Sequence, residues 1–540
     1  MIVYRTVRSS RGSQHSQLHL DSIVVKTTPL VAVPSPPIAR WELAVLAAAA
    51  LCALALGSAN LGAASIWHDE AVHVLVARSM AESWWPRLPS GELYHNGNVY
   101  NGILALFIAC FGDSEAVVRS PAVLFSVLNV LLTYGLTRRL VGRGTALTAA
   151  FALALSPWSV AWAREARFYS LQQSFYLLFL WTAWEFMTAR KTWGTVAAGA
   201  GALFCYVAGF FVSWHSLLYA APVVAFAVIE MALRRELVSR STLALVALAA
   251  LAALALGYFS ALNFVDRSTV LVGSRLGQGL PSAGVKDIRA APFFYVDWLC
   301  RNLSTGYLLL ALLGTAILCA RKTREGFFAV LCFWAPILVL SVFIGYRRQR
   351  FMFFAYPFYG VLFSCALVRL GGVLAKPRPS WLWRVSAIAI LLFGLRLSIS
   401  TAQLFVDSIA LAKGADASVE RRHPQWREPC WYVKSQLDDG VVVLTTTFCP
   451  VYYYVGRVDE WFPSRALPGE ARESGMAGLP GLPELIDYVD RHPRGYFLAE
   501  LRRFEFNEEF LAADVAWVKE HMTRVQEACS SDVTVYKWGF

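Results

Sequence analysis

The sequence predicts a mainly α-helical, polytopic membrane protein with about eleven transmembrane helices and a small C-terminal extracytoplasmic α/β domain. Of the 540 residues, 57% are hydrophobic and only 16% are charged, whereas soluble proteins carry about 25% charged residues. Apolar stretches of spanning length recur up to residue 402, and an acidic tail of more soluble character follows. The composition also excludes a disordered chain, which needs low hydrophobicity and high charge.

The membrane domain is predicted over residues 41–402. It follows a polar segment, 1–40, in which no cleavable signal peptide is apparent. A span needs about 20 predominantly apolar residues. Stretches that meet this length are 41–63, 118–137, 144–163, 169–189, 194–212, 214–233, 242–263, 303–320, 326–345, 351–370 and 382–402. A shorter apolar run, 99–111, is predicted to lie along the membrane surface.

The basic residues of the loops predict the orientation, because cytoplasmic loops are enriched in Lys and Arg. With a cytoplasmic N-terminus, every predicted inner loop is basic: Arg138, Arg139 and Arg143; Arg190 and Lys191; Arg234, Arg235 and Arg240; Arg321, Lys322 and Arg324; Lys376, Arg378 and Arg384. Eleven spans then place the tail outside the cytoplasm, and the plasma (inner) membrane is the expected location. Since these charges lie between apolar runs, they indicate membrane orientation and no nucleic-acid partner.

The tail, residues 403–540, holds 15 Lys and Arg against 21 Asp and Glu. Strand-like runs at 441–445 and 451–455, with helical stretches near 484–491 and 508–522, favour a small α/β domain. Cys430 and Cys449 could form a disulfide in an oxidising compartment, but no CxxC metal-ligand spacing occurs.

Asp69 and Glu70 form an acidic pair just after the first span. Ionisable groups at membrane depth are costly, and a carboxylate within reach of a hydroxyl proton can act as a general base. The alternative is that these acids cap the next helix, where Asp69 near the N-terminus would be favourable. His68 and His73 are five residues apart, which does not match the HExxH zinc spacing. Asp69 and His73 could share a metal ion, but two ligands are too few to assign one.

Two predicted outer loops contain cations that the orientation rule does not explain. One loop holds Arg164, Glu165, Arg167 and Tyr169, and the other holds Arg347, Arg348 and Arg350. These arginines either contact lipid headgroups or form a site for an anionic ligand, most plausibly a phosphate.

Two histidines are predicted on the same side of the membrane. His215 lies at the outer junction of the fifth and sixth spans, and His95 lies in the polar turn before the run 99–111. His95 is either a solvated loop histidine or a second contact for the anion. The sequence therefore predicts acids, arginines and histidines on one membrane face.

Several of these segments, taken in order, resemble the GT-C class of membrane glycosyltransferases. They are the acidic pair, residues 111–121 followed by 138–142, and residues 155–157 followed by 164–171. Within this class, the sequence resembles the protein O-mannosyltransferases and the lipid A aminoarabinose transferases. The resemblance is dense over residues 65–190, and it implies a polyprenyl-phosphate-linked sugar donor, a hydroxyl acceptor and inversion at the anomeric carbon.

The resemblance also implies roles for individual residues. Asp69 corresponds to the acid of the first loop in the family, which implies a role as a base or as an acceptor-orienting group, with Glu70 beside it as a second catalytic group. The segment 165–169 is similar to the motif that lines the same cavity, and residues 346–351 are similar to the basic segment at the donor phosphate. His95 stands where relatives have a polar residue before a proline-containing helix, although Asn96-Gly97-Asn98 replaces the prolines here.

Two other functional classes remain alternatives. A secondary transporter would also have many spans and intramembrane charges, but no repeated halves are visible. A non-catalytic membrane scaffold would leave the acidic pair and the outer arginines without a role. The identity of the sugar, the identity of the acceptor and any dependence on a divalent metal stay open from sequence.

Overall fold

The computed structural model describes residues 37–188, 192–234, 240–263, 293–344, 347–374, 423–463, 472–506 and 511–540, with the short stretches 402–403, 406–407 and 409–410. Residues 39–540 form one compact unit. The boundary at residue 403 between a membrane domain and a tail domain therefore stays a prediction.

The first part of the chain is helical. Its helices are α1 (Arg40–Ser58), α2 (His68–Ser83), α3 (Asn98–Phe111), α4 (Glu115–Leu140), α5 (Arg143–Ala154), α6 (Pro157–Ala163), α7 (Tyr169–Thr188), α8 (Thr192–Val212), α9 (Ala221–Arg234), α10 (Arg240–Asn263), α11 (Phe294–Leu299), α12 (Thr305–Ala320), α13 (Arg324–Phe343) and α14 (Tyr356–Leu374). Short 3-10 turns, Trp214–Ala220 and Gln349–Ala355, lead into α9 and α14.

Seven helical segments in the described part of the chain are long and apolar enough to cross a membrane, or eight if α5 and α6, bent by 57°, form one span. Helices occupy every predicted stretch from 41–63 to 351–370. The stretch 382–402, apart from residue 402, lies outside the described residues. The count of eleven spans thus stays a prediction.

Helix α7 is not among the seven, because buried polar residues lower its hydropathy. These residues bond to neighbouring helices: the Gln173 amide donates to the carbonyl of Phe353 at 2.8 Å, and Ser174 Oγ donates to Asn129 at 2.7 Å. Buried polar groups in a helical bundle need such partners. Helix α7 is therefore an interior helix of the bundle.

Helix α14 lies deep inside the bundle. In the apolar segment formed by this helix and the 3-10 turn before it, 89% of the residues that could span a membrane are buried. It packs against α5 and α12. The approach of α12 is close enough that a Cβ at Gly314 would collide with the carbonyl oxygen of Leu362. The 3-10 turn just before α14 carries Arg350, so a deeply buried helix sets the position of this arginine.

Helices α2 and α3 pack on each other, and α3 also contacts α4 and α8. The run 99–111 is helical, since it belongs to α3. Its predicted position along the membrane surface stays a prediction. The turn before α3 contains Gly97, whose φ of +75° and close approach to His73 leave no room for a side chain.

The tail contains a five-stranded mixed sheet with flanking helices. Its elements are α15 (Arg427–Ser435), β1 (Val441–Thr445), α16 (Phe448–Val455), β2 (Glu460–Trp461), α17 (Leu482–Arg491), β3 (Arg494–Glu500), α18 (Leu501–Phe506), α19 (Ala512–His521), β4 (Thr523–Arg524) and β5 (Val533–Trp538). The strand order is β2-β1-β3-β5-β4. Strand β1 pairs in parallel with β2 and β3, and β5 is antiparallel to β3 and β4.

One strand prediction in the tail is wrong: residues 451–455 belong to helix α16. A short apolar run does not distinguish a buried strand from a buried helix by periodicity. Pro450, near the start of α16, is compatible with a first helical turn, and Gly456 ends the helix in the left-handed region at φ +87°. The strand at 441–445 is confirmed. Helix α17 covers the predicted stretch 484–491, and α19 lies within the predicted stretch 508–522, of which 508–510 are outside the described residues.

The start of the tail contacts the loop between α1 and α2. Arg427 Nε donates to Glu115 Oε1 at 2.7 Å, and its Nη2 donates to the carbonyl of Gly62 at 2.7 Å. Tyr454 of α16 donates to the same carboxylate at 3.0 Å and accepts the backbone N–H of Ile66 at 2.7 Å. The residues before Asp69 are therefore held from the tail side.

Both cysteines of the predicted disulfide, Cys430 and Cys449, are buried thiols in this structure. The disulfide is therefore not formed here.

Candidate active site

Asp69, the second residue of α2, is the centre of the charged cluster. Its Oδ2 lies 2.9 Å from Arg167 Nη1 and 3.1 Å from Arg350 Nη1. The carboxylate side chain is 25% exposed, whereas Arg167 is 8% exposed. Three separate segments therefore meet at one carboxylate that solvent still reaches.

Asp69 does not cap helix α2. Trp67 occupies the N-cap position of α2, and no side chain caps this helix. Both acids lie in the first turn, where negative charge is favourable. Their carboxylates, however, bind arginines.

The two arginines control the protonation of Asp69. Burial raises the pKa of Asp69, but Arg167 and then Arg350 outweigh burial and hold that pKa well below its usual range. Asp69 is thus a carboxylate at neutral pH.

Glu70 faces away from this cluster into the protein. Its carboxylate is fully buried and accepts a two-pronged pair of bonds from Arg119, at 2.8 and 2.7 Å. It also accepts the backbone N–H of Ala166 at 2.6 Å. Successive helical residues point about 100° apart, which is why the two neighbouring acids have different surroundings. Glu70 joins α2 to α4 and to the loop that carries Arg167.

The loop 164–169 divides its side chains between two tasks. Arg167 faces Asp69 and donates to the Tyr169 hydroxyl at 3.3 Å. Arg164 instead donates to carbonyls at the end of α1, including that of Asn60 at 3.2 Å. Burial lowers the pKa of Arg164 to about 10. The contact of Arg164 with a ligand stays a prediction, and its described bonds are to carbonyls at the end of α1.

Glu165 pairs with a residue of the tail. Its Oε1 lies 3.2 Å from His423 Nε2, and the His423 ring stacks on Trp67 with a centroid distance of 4.0 Å. The other oxygen, Oε2, is buried without a hydrogen-bond partner among the described residues. Glu165 thus lies beside the cluster but does not contact Asp69.

Of the three arginines in the second outer loop, Arg350 alone reaches Asp69 among the described contacts. Arg347 Nη2 donates to the carbonyl of Ser341 at 2.7 Å. Arg348 is exposed at the start of the 3-10 turn before α14. Tyr346 of this loop lies outside the described residues.

The two predicted histidines have different positions. His215 is buried, stacks on Trp214 at a centroid distance of 3.8 Å, and packs at a tilt against Phe351 at 4.1 Å. Phe351 follows Arg350, so His215 borders the cluster. His95 is half-buried in the turn before α3.

His73 is buried and bonds to Asn101. His73 Nδ1 lies 2.7 Å from the Asn101 side-chain oxygen, and its ring packs against Phe168. Burial, followed by Arg167, lowers the pKa of His73 to about 3, so its ring is neutral. Among the described residues, a different trio, His68, Cys449 and Glu473, has the arrangement of metal ligands.

Two residues of this region were not assigned a role from sequence. Arg119 lies in the predicted second span. A cation inside a span indicates a buried partner, because charges within the membrane pair with one another. His423 shows no such local signal, since its contacts with Trp67 and Glu165 depend on how the tail packs.

Residues 97–258 match a family model described as dolichyl-phosphate-mannose-protein mannosyltransferase. No curated protein sequence matches the chain. Among solved structures, the fold is similar to that of ArnT from Cupriavidus metallidurans bound to undecaprenyl phosphate. The TM-score is 0.61 at 11% identity, over 92% of this chain and 98% of that chain.

The Archaeoglobus fulgidus oligosaccharyltransferase is also similar. Its apo form gives a TM-score of 0.58 at 13% identity, over 90% of this chain and 73% of that chain. The same organism's AglB, in complex with an inhibitory peptide and a dolichol-phosphate, gives 0.56 at 13% identity, over 90% and 72%. The expected resemblance to GT-C membrane glycosyltransferases is confirmed, and the chain is a multi-pass membrane protein with this fold.

Proposed function

We propose that this protein is an inverting glycosyltransferase that moves a sugar from a polyprenyl-phosphate-linked donor to a hydroxyl acceptor. The observation that carries the proposal is the convergence of Arg167 and Arg350 on the partly exposed carboxylate of Asp69. The matched family model and the polyprenyl phosphates bound by two neighbours support the same donor class.

The arginines provide the site for the donor phosphate. Guanidinium groups bind phosphate oxygens through charge-assisted hydrogen bonds. When the bond between the anomeric carbon and the phosphate oxygen breaks, negative charge develops on the lipid phosphate, and positioned cations stabilise it. Arg350 lies in the 3-10 turn that leads into the buried helix α14. Its guanidinium therefore needs little reorganisation when the phosphate binds.

Asp69 provides the base for the acceptor. The acceptor hydroxyl attacks the anomeric carbon, its proton passes to Asp69 Oδ2, and the lipid phosphate leaves with the bonding electron pair. Donor binding prepares this step: as a phosphate takes over the Arg350 and Arg167 hydrogen bonds, their hold on Asp69 weakens and its pKa rises. A single displacement of this kind inverts the anomeric centre.

The remaining residues support this pair. We assign positioning roles to Glu70, which ties the Arg167 loop to α2, and to Arg164, which ends α1. Tyr169 and His215 shape the surroundings of Arg167 and Arg350. Glu165 offers a second acidic oxygen beside the site. His95, Arg347 and Arg348 are proposed as contacts to donor or acceptor.

The site is proposed to open on the extracytoplasmic face of the plasma (inner) membrane, with the N-terminus in the cytoplasm. This orientation allows the prenyl chain to stay in lipid while its phosphate reaches the arginines. Protein, glycolipid and polysaccharide hydroxyls are the acceptor classes that this chemistry serves.

The test incubates the purified full-length protein with a panel of polyprenyl-phosphate sugars and a membrane extract, and identifies the product by mass spectrometry. We expect one donor to give a glycosylated product. Asp69→Asn should lower turnover by at least about 100-fold, because a general base contributes about 10²- to 10⁴-fold. The matched control, Asp297→Asn, changes a 51%-exposed carboxylate and should keep full turnover. Near-normal turnover by Asp69→Asn would refute the base assignment.

A further inference from the structure

A second cluster of reactive side chains lies beside the proposed site and has no part in the mechanism above. His68 begins α2, Cys449 lies in the first turn of α16, and Glu473 follows the break in the described chain at 464–471. Glu473 Oε2 lies 3.4 Å from His68 Nε2 and accepts a hydrogen bond from Cys449 Sγ at 3.1 Å. All three donor atoms lie within 4.8 Å of one another.

We propose that His68, Cys449 and Glu473 bind a divalent zinc ion, which joins the tail to the start of α2. Imidazole, thiolate and carboxylate are the ligand types that zinc takes, with bonds of about 2.0 to 2.3 Å. Tetrahedral geometry at these bond lengths requires ligand atoms about 3.3 to 3.6 Å apart. The His68–Glu473 separation of 3.4 Å lies inside this range, and the Cys449–Glu473 separation of 3.1 Å is about 0.2 Å below it.

The donor set also discriminates between metals. A thiolate is a soft ligand, which favours zinc over magnesium, calcium and manganese, whose preferred ligands are oxygen atoms. Binding releases the Cys449 thiol proton to solvent, because the thiolate is the ligand. Three protein ligands leave a fourth position for water or another group.

Contacts with the segment between α2 and α3 hold Glu473 in place. The Glu473 carbonyl accepts the backbone N–H of Ser90 at 3.2 Å, and Gly475 packs against Ser90. Arg472 pairs with Glu92 at 3.1 Å. Cys449 is fully buried in α16. These contacts hold the trio near the geometry of bound metal before the ion arrives.

An ion bound by the trio would affect the structure next to the proposed base. His68 directly precedes Asp69, whose own carboxylate stays with Arg167 and Arg350. A bound ion would cross-link α2 to two parts of the tail, one residue from the proposed base. The ion therefore acts as a positioning element, and its binding does not depend on the proposed glycosyl transfer.

The test uses the full-length protein, stripped with a chelator and titrated with Co²⁺, which substitutes for zinc and reports its ligands by absorption. We expect one equivalent to bind with a thiolate-to-cobalt charge-transfer band, which Zn²⁺ then removes. Cys449→Ser should lose the band. Cys529→Ser, which changes a half-buried thiol away from the trio, should keep it. Absence of the band in the wild type, or its survival in Cys449→Ser, overturns the proposal.

A second variant guards against a misfolded serine mutant. Glu473→Gln preserves side-chain size but removes the anionic ligand, and we expect it to weaken Zn²⁺ affinity by more than about tenfold, since even outer-shell changes cost this much. Zn²⁺ should raise the unfolding temperature of the stripped wild type, because a ligand stabilises the state that it binds. An equal rise in Glu473→Gln would contradict the proposal.

Discussion

At the scale of single residues, the proposed chemistry depends on the difference between two neighbouring carboxylates. Asp69 shares its oxygen with two arginines and is 25% exposed. Glu70 is completely buried by Arg119 and the Ala166 backbone. An acceptor hydroxyl can reach the first but not the second. The catalytic and positioning roles therefore divide between adjacent positions of one helix.

Arg350 tests the phosphate site. Arg350→Ala should weaken binding of a polyprenyl phosphate by at least about tenfold, or about 1.4 kcal/mol, because the charge-assisted contact is lost. Arg350→Lys should give an intermediate result, since it keeps the charge but loses the planar fork. Equilibrium binding to the full-length protein measures the effect. Arg301→Ala, at a 76%-exposed side chain, is the control, and equal affinities of Arg350→Ala and wild type would exclude Arg350 from the donor site.

The pH dependence tests the electrostatics of Asp69. Because its folded-state pKa is depressed, the stability from its ion pairs is present above the unfolded pKa of about 3.9 and is lost as the pH falls through the folded value. Arg350→Ala removes one cation, so the pKa of Asp69 should rise. We expect the acidic limb of the kcat/KM profile, which reports the free enzyme, to move to higher pH. An unmoved limb would mean that Asp69 does not set it.

At the scale of secondary-structure elements, the Glu70–Arg119 pair connects α2, α4 and the Arg167 loop. Arg119 also donates to the carbonyls of Leu61, Ala64 and Ser65. One buried pair thus anchors both the start of α2 and the loop that delivers a cation to Asp69.

Removing one partner of that pair should destabilise the protein strongly. We expect Arg119→Ala to cost about 3 to 5 kcal/mol of unfolding free energy, because it leaves a buried carboxylate unpaired. Thermal unfolding of the purified protein in detergent measures the loss as a lower transition temperature. The exposed pair Asp297–Arg301 is the matched control, and Arg301→Ala should cost less than about 1 kcal/mol. Similar transition temperatures for the two variants would contradict this prediction.

At the scale of the whole molecule, the tail is part of the proposed site. Arg427, Gln425 and Tyr454 contact the loop before α2, while His423 stacks on Trp67 and reaches Glu165. The helical bundle and the tail therefore share the segment from which Asp69 projects.

The docking of the tail can be tested at Arg427. Its guanidinium is part-buried against Glu115 and the carbonyls of Gly62 and Ala64. Arg427→Ala should cost about 1.5 to 3 kcal/mol, the usual contribution of hydrogen bonds to charged groups. Hydrogen exchange should then speed up in the α1–α2 loop and in α16. Arg494→Ala, at an exposed pair with Asp438, should leave both segments unchanged, and unchanged exchange in Arg427→Ala would argue against the docking role.

The helical segments and the charged loops were predictable because their signals are local. Apolar runs placed α1, α3 to α10 and α12 to α14 but not α2 or α11. Asp69, Arg167 and Arg350 stood out because cations and acids at a membrane edge are costly. The strand prediction for 451–455 is wrong because a short aromatic run fits a buried strand and a buried helix equally well. Arg164 also stood out, yet its partners are the last carbonyls of α1.

Hydrophobicity is a property of each segment, so a membrane-embedded helical protein with a charged face could be read from local patterns alone. The partners of each charge depend on packing, since Asp69 and Arg350 are 281 positions apart. Helix phase and the burial of α14 bring Arg350 to Asp69, turn Glu70 toward Arg119, and place His68 beside Cys449. Only the tertiary structure distinguishes the proposed base, Asp69, from its buried neighbour, Glu70. The reason is that packing determines how exposed a side chain is and which charged groups it contacts.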